Sequence, residues 1–394
     1  MQKLVDIIVG VRPNFIKVAA IIHELDLRVS SDPGIKYRLI HTSQHYDTNM
    51  SGVFFEELNI PAPDIHLNVG NIESSKQIST IITRYSKVLE EHRPDMVIVS
   101  GDVNSTVACA LATKKTDPTI PLVHVEAGLR CDDKQMPEEI NRILTDSITD
   151  YFFTSSLSAS DNLLHDGVAP HKIFFVGNTM IDTLYQNEQR FNKPSFWDIF
   201  GLSSKSYFVL TLHRQGNLSD SATLANLFHA ISTAAADMPV VFPVHPHTAR
   251  MMKQFGIELC SNMLMTEPMG YLAFNFLVKN ASAVITDSGG ISEEATVMNV
   301  PCMTLRMYTE RPETCLIGTN MLLGTNPQNI VTAFEKLKSG NWPLGKNPEL
   351  WDGQASKRIV DIIYDLLKNP NESGHAILKS HSIGEQSHHR ILLN

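Results

Sequence analysis

The sequence predicts an α/β protein of two Rossmann-like, doubly wound domains facing a central cleft, and three observations lead there. Short β-rich apolar runs alternate with longer amphipathic stretches along the chain, the pattern of parallel strands covered by helices on both faces. Charged and glycine-rich segments follow those runs, at the strand ends where doubly wound sheets bind ligands. The 394 residues also carry too many strands for one sheet of ordinary width, so two domains with separate cores are the simpler solution.

The strand-like runs are residues 4–9, 37–42, 96–100, 122–125, 151–154, 173–176, 208–212, 240–244, 283–286 and 302–305. Amphipathic stretches such as 15–25, 74–91 and 138–148 lie between them. A helical pattern ends near Pro170, which divides the chain into an N-terminal domain over 1–170 and a C-terminal domain over 171–350. Residues 369–394 are polar and without a strong apolar period, and read as a loosely held tail. Its His381, His388 and His389 read as part of that tail rather than as a metal site.

Composition narrows the function classes. The chain is 43% hydrophobic and 19% charged, with mean hydropathy -0.08. A net charge of -9 argues against a broad nucleic-acid or anionic-membrane surface, so a phosphate ligand must be held by a few placed groups. Cys109, Cys131, Cys260, Cys302 and Cys315 are odd in number and form no C-x-x-C pair, which speaks against a disulfide scaffold or a structural zinc site and fits a reducing compartment. The N-terminus shows no signal-peptide pattern, and no apolar run approaches the ~20 residues of a membrane helix. A cytoplasmic location is the expectation.

The chemistry sits at the strand ends. The first strand closes in Gly10-Val11-Arg12-Pro13-Asn14-Phe15-Ile16-Lys17, where Arg12 and Lys17 flank a helix start that already favours an anion. This is neither a G-x-G-x-x-G nor a Walker A segment, so it does not indicate dinucleotide or ATP binding, and by itself it is equally a basic helix start on the surface. Ser100-Gly101-Asp102-Val103-Asn104 and His124-Val125-Glu126-Ala127-Gly128-Leu129-Arg130 end two further strands. Pro137-Glu138-Glu139-Ile140-Asn141-Arg142 opens a helix in which Glu138 and Arg142 share a face; simple capping with an i,i+4 ion pair is the plain alternative. Three carboxylates, Asp102, Glu126 and Glu138, directed toward one crevice are costly unless they do acid–base work or meet cations.

The second half repeats the arrangement. Leu212-His213-Arg214 and Val244-His245-Pro246-His247 follow strands, and a histidine there can neutralise phosphate or move protons. No metal is expected, because His245 and His247 have no acid or thiol in reach along the sequence. Thr286-Asp287-Ser288-Gly289-Gly290-Ile291-Ser292-Glu293-Glu294 is the strongest signal: Ser288 is a natural N-cap, Gly289 and Gly290 bare the backbone N–H groups of a helix start, and Glu293 and Glu294 follow, placed to accept from sugar hydroxyls. A tight strand–helix turn is the alternative for the two glycines. Arg306-Met307-Tyr308-Thr309-Glu310-Arg311-Pro312 adds a second charged loop.

In this order, from VRPNFIK through SQHYD, GDVNST, HVEAGLR, MPEEINR, VGNTMIDTL, LTLHR, PVHP and TDSGGISEEA to TERPE, the segments resemble the non-hydrolysing UDP-N-acetylglucosamine 2-epimerases of GT-B fold, over nearly the whole chain up to about Lys368. The resemblance implies that UDP is eliminated from C1 as the C2 proton is removed, and is re-added after protonation on the opposite face. It makes Asp102, Glu126 and Glu138 the catalytic acids and His213 the pocket histidine. Arg12, Lys17, Arg130, Arg142 and Arg311 would balance diphosphate and carboxylate charge. Ser288, Gly289 and Gly290 would hold phosphates, Glu294 the ribose and Phe274 the uracil, with Gln44 and His45 also on the substrate. A UDP-linked amino sugar as ligand, no cofactor, a homodimer, and residues 351–368 crossing back to the first domain complete what it implies.

Departures bear on substrate and regulation. Ser43 and Val11 replace usual residues, His213-Arg214 is followed by Gln215-Gly216-Asn217, and Ser292 stands where glutamine is common. Asp47 occupies the place of a glutamine in the allosteric site of many bacterial members, which speaks against the same activation by UDP-N-acetylglucosamine. Tyr46-Asp47 and Asp102-Val103-Asn104 are similar to relatives that act on UDP-2,3-diacetamido uronic acids. The alternatives are such a modified sugar, a hydrolysing epimerase, a GT-B glycosyltransferase, or a catalytically dead sugar-nucleotide sensor.

Overall fold

Strands with no polar face need cover on both sides, and Met96–Ser100 and Leu122–Val125 are buried at every residue. The computed structural model describes residues 2–43, 54–131, 133 and 136–368. Among these, β1 (Lys3–Val9), β2 (Ile35–His41), β3 (Ile65–His66), β4 (Met96–Ser100), β5 (Leu122–Val125), β6 (Tyr151–Thr154) and β7 (Ile173–Phe175) form one parallel sheet in the order β3-β2-β1-β4-β5-β6-β7. A second parallel sheet has the order β10-β9-β8-β11-β12-β13. Its strands are β8 (Phe208–Thr211), β9 (Val240–Pro243), β10 (Met263–Thr266), β11 (Ala283–Thr286), β12 (Cys302–Thr304) and β13 (Asn320–Leu322). The strand order reverses between β1 and β4 and between β8 and β11, the places where loops diverge and a crevice opens at the C-terminal strand ends.

Every apolar run read from the sequence is a strand, and the three strands it did not show are β3, β10 and β13. All three lie at sheet edges, are two to four residues long and carry half-buried or exposed positions. Burial on one side removes the continuous apolar run that marks a central strand. The first sheet also runs on past residue 170: β7 pairs with β6, and helix Thr179–Asn187 then packs on helix Arg12–Ser31, where Thr183 Oγ1 donates to the Ile16 carbonyl at 2.7 Å.

The last helix, Ala355–Lys368, lies on the first sheet's side of the molecule. Its Ile359, Val360, Ile363 and Leu367 share a core with Val18, Ile22 and Leu25 of helix Arg12–Ser31. Arg28 pairs with Asp361, and Lys368 Nζ lies 2.6 Å from Asp32. Buried Asp182 caps the helix, accepting from the Ala355 N–H at 3.1 Å and from the Ser356 N–H and Oγ–H at 2.6 Å each. Residues 369–394, with the tail histidines, fall outside the described residues, as do Gln44, His45, Tyr46 and Asp47. All five cysteines are free thiols, and among the described residues no helix is long and apolar enough to cross a membrane.

Candidate active site

The first sheet's crevice is built on a few backbone ties. Asn14 accepts from the Gly10 and Val11 N–H groups and donates to the Ser100 carbonyl at 2.9 Å, locking the β1 loop to the end of β4. The next residue, Gly101, has φ +66, and an added Cβ would meet Lys17 Nζ at 2.7 Å; only glycine gives both the left-handed backbone and room for that ammonium. Lys17 reaches through this gap to pair with Glu126. Burial lowers the Lys17 ammonium to about 8, against the opposing pull of Asp102.

Glu126 is the junction of the site. It is a non-glycine residue at φ +69 and is 7% exposed, a backbone state that persists only where its surroundings fix it. One carboxylate oxygen meets Lys17 and the other meets Arg311, from the loop after β12. Arg311 is itself buried and pairs through Nε with Glu293, which has no exposed surface. Burial pulls the Arg311 guanidinium down to about 10, although Glu313 and Asp102 act to raise it. An unbroken chain of charges, Lys17–Glu126–Arg311–Glu293, therefore runs from one sheet to the other.

Beside it, Arg142 Nη1 donates to Asp102 and its Nε and Nη2 donate to Glu139 at 2.9 and 2.6 Å. The i,i+4 pair with Glu138 does not form. Arg142 turns to the buried Glu139 one position on, and Glu138, half-buried in the first helical turn, has no ion-pair partner among the described residues. Arg130 also differs from expectation: Asp146 and Asp166 hold it at 2.7 and 2.8 Å, so its charge is already matched by carboxylates. Arg12 lies over the Phe54 ring, 4.3 Å from its centroid.

The second sheet contributes His213, Ser288, Gly289, Gly290, Glu294 and Phe274. Asp287, fully buried, accepts from the backbone N–H groups of His213 and Arg214, from Asn217 Nδ2 at 3.0 Å, and pairs with His213 Nδ1 at 2.8 Å. Burial alone would raise this carboxylate, but His213 and the converging N–H donors hold it below the ordinary range. With Nδ1 held by Asp287, the His213 ring remains 41% exposed. Ser288 takes the N-cap position of helix Gly289–Val297, but its hydroxyl makes no capping bond, so the N–H groups of the first turn keep their anion-binding character. A Cβ at Gly289 would lie 2.9 Å from Glu310, which explains the missing side chain there. Glu310 in turn pairs with Arg306 at 2.7 Å; burial pushes it up, yet Arg306, Arg214 and Arg142 bring it down to about 2.

Glu293 and Glu294 part company. Glu293 is spent on Arg311, whereas Glu294 accepts from the Tyr271 hydroxyl at 2.8 Å and is raised by burial to about 7. Phe274 packs half-buried in the aromatic cluster of helix Tyr271–Asn280. Further contacts join the halves beyond the charge chain, among them Glu57 accepting from the Tyr271 N–H, Arg214 Nη1 donating to Met136 Sδ at 3.1 Å and Lys279 Nζ pairing with Glu188 at 2.7 Å. Sequence reading passed over Asp287, Glu139, Glu310 and Arg306. Each was visible inside a quoted motif, but none could be told from its neighbours without knowing which way the strand end turns. Among the described residues no group of three histidines, cysteines or acids is arranged to hold a metal; His245 accepts from the His247 N–H and caps its helix.

Residues 27–364 match the family described as UDP-N-acetylglucosamine 2-epimerase. A UDP-N-acetylglucosamine 2-epimerase from Methanocaldococcus jannaschii is 42% identical over 91% of this chain and 98% of its own length. A UDP-2,3-diacetamido-2,3-dideoxy-D-glucuronate 2-epimerase from Pseudomonas aeruginosa is 36% identical over 91% and 99%. A crystal structure of the M. jannaschii enzyme in complex with UDP-GlcNAc and UDP superposes with a TM-score of 0.83 at 40% identity, covering 92% of this chain and 99% of that one. The two facing parallel sheets are the GT-B arrangement.

Removal of Arg311 leaves Glu293 buried without its cation. Arg311→Leu is expected to lower stability in urea by ~3–5 kcal/mol, with much of that loss recovered in Arg311→Leu/Glu293→Gln. Equal stability of the single variant and the unaltered protein would show that the buried pair is not what holds this loop.

Proposed function

The chain belongs to the UDP-N-acetylglucosamine 2-epimerase family, and on that premise we propose that it converts UDP-N-acetylglucosamine to UDP-N-acetylmannosamine without net hydrolysis. The observation that carries this reading is the meeting of Asp102 and Glu126 from one sheet with Arg311 and a glycine-bared helix start from the other. The C2 hydrogen is barely acidic and UDP is a charged leaving group. The reaction therefore needs ionisable groups at C2 and fixed positive charge and N–H donors at the diphosphate, the two kinds of group that converge here.

In the forward step a carboxylate takes the C2 proton while the C1–O bond breaks, its electron pair leaving with UDP; the C1=C2 bond of a 2-acetamidoglucal forms. In the return step a proton is delivered to the opposite face of C2 and UDP oxygen closes the bond to C1. The sum is redox-neutral. Asp102, Glu126 and Glu138 are assigned the proton transfers. His213, oriented by Asp287, faces the departing phosphate with Lys17, Arg12 and Arg311, and the N–H groups at Ser288, Gly289 and Gly290 receive the diphosphate. Glu294 takes the ribose and Phe274 the uracil. The two sheet-centred domains close on the ligand, because each holds half of the site. A homodimer fits the exposed apolar face of Ile140, Ile143 and Leu144 on helix Pro137–Ile148.

A second substrate is favoured by the 36% identical relative named for a diacetamido glucuronate. Product analysis by NMR separates the readings. UDP-N-acetylmannosamine with little free UDP is the expected result, free N-acetylmannosamine would indicate hydrolysis, and turnover of the uronate donor alone would move the substrate. Asp102→Asn and Glu126→Gln are each expected to lower turnover by about 10²–10⁴-fold while UDP still binds; near-wild-type rates would remove the acid–base assignment.

Lys17 gives the site a pH signature. Its ammonium loses charge as pH rises through about 8, so UDP affinity should fall between neutral and alkaline pH, by at most about tenfold per pH unit. Titration calorimetry of Lys17→Met should show weaker binding and a flatter profile; an unchanged slope would place Lys17 away from the diphosphate.

A further inference from the structure

The strand ends that carry Asp102 and Glu126 share one support, and its centre is a histidine. His124, within β5, has no exposed surface. Its Nε2 lies 2.8 Å from the Gly101 carbonyl oxygen and its Nδ1 lies 2.7 Å from Asp146 Oδ1. A carbonyl oxygen only accepts, so Nε2 carries a proton. An ionised carboxylate also only accepts, so Nδ1 carries one too. Asp146 shows every sign of ionisation: its other oxygen accepts from the Gly128 N–H at 3.2 Å and from Arg130 at 2.7 Å. Burial would raise this carboxyl, but His124 and Arg130 hold it below its usual range. A neutral imidazole has one ring proton and leaves one of these two acceptors unserved.

The bonds go to the backbone on either side of the reacting groups. Gly101 immediately precedes Asp102 and has φ +66; Gly128, two residues after Glu126, has φ +79; Glu126 itself has φ +69. Asp146 belongs to helix Pro137–Ile148, which also supplies Arg142 to Asp102. Gly101 is thus tied through the His124 ring to Asp146, and Gly128 to the same carboxylate, so that one helix holds the backbone on either side of Asp102 and Glu126. We propose that His124 is a buried imidazolium that acts as a positioning residue, fixing Asp102 and Glu126 in register with each other without touching the substrate. This rests on the epimerase reading for its kinetic consequence, whereas the charge state of the ring does not. Arg130 acquires a purpose here: with Asp166 it completes a charge-balanced cluster of two cations and two carboxylates, His124, Arg130, Asp146 and Asp166.

The test begins with the intact protein labelled with ¹⁵N-histidine, near neutral pH. One imidazole, absent from His124→Gln, should show both ring nitrogens protonated, and should lose one of those protons in Asp146→Asn. A single-tautomer neutral ring at His124 overturns the proposal whether or not the variants fold. In His124→Gln and Asp146→Asn, kcat should fall by about a hundredfold, the scale of an ångström-sized misplacement of catalytic groups. KM and UDP affinity should stay within about threefold. A variant that loses thermal stability but keeps kcat would reduce His124 to a structural role and also overturn the proposal. If the unaltered protein leaves UDP-N-acetylglucosamine untouched, it is the substrate reading that fails. The NMR result then still decides the charge state, and the kinetic arm is run on the diacetamido uronate donor.

Discussion

The site depends on one carboxylate held in a backbone conformation that its residue type resists. Glu126 sits at φ +69, where a side chain costs on the order of 1–3 kcal/mol unless its surroundings fix it. Two buried cations, Lys17 from the helix after β1 and Arg311 from the loop after β12, take its two oxygens. The same contacts that compensate the strain also join the halves of the molecule, so the geometry of the chemistry and the closure of the cleft are set by one group.

Around this point most of the buried charges are paired. Arg142 serves Asp102 and Glu139, Arg306 serves Glu310, Arg311 serves Glu126 and Glu293, and Asp287 serves His213. Such pairing keeps buried carboxylates ionised at a tolerable cost, and it leaves the ligand to compete for partners already in place. On the proposed reading, a diphosphate entering at the helix start beside Gly289 would compete with carboxylates for the cations there. A carboxylate released in this way would become available as a base, which in the proposed reaction would couple ligand arrival to the readiness of the acid–base groups.

Much of this was legible in the sequence, and the reason differs by feature. Central strands announce themselves because burial on both faces removes every polar residue, whereas β3, β10 and β13, short and on the edges, carry no such pattern. The motifs at strand ends pointed to one crevice because the topology of a doubly wound sheet brings those ends together. Pairings within the motifs were not legible. Glu138 and Glu139 are chemically alike and adjacent; a rotation of about 100° around the helix axis, invisible in composition, gives Arg142 to the second. Glu293 and Glu294 divide in the same way, one held by Arg311 and the other by Tyr271. Asp287 and His124 escaped notice because their importance lies in what their second atoms touch, a property of packing and not of spacing.

On the proposed reading, Glu126 and Asp102 move a proton at C2 of a UDP-linked N-acetylhexosamine. Proton NMR of the protein with UDP-N-acetylglucosamine in deuterated water tests it most directly. Deuterium is expected at C2 in the epimerised product, with no such label in a Glu126→Gln preparation. Epimerised product that keeps its C2 proton, formed at the same rate, would contradict it.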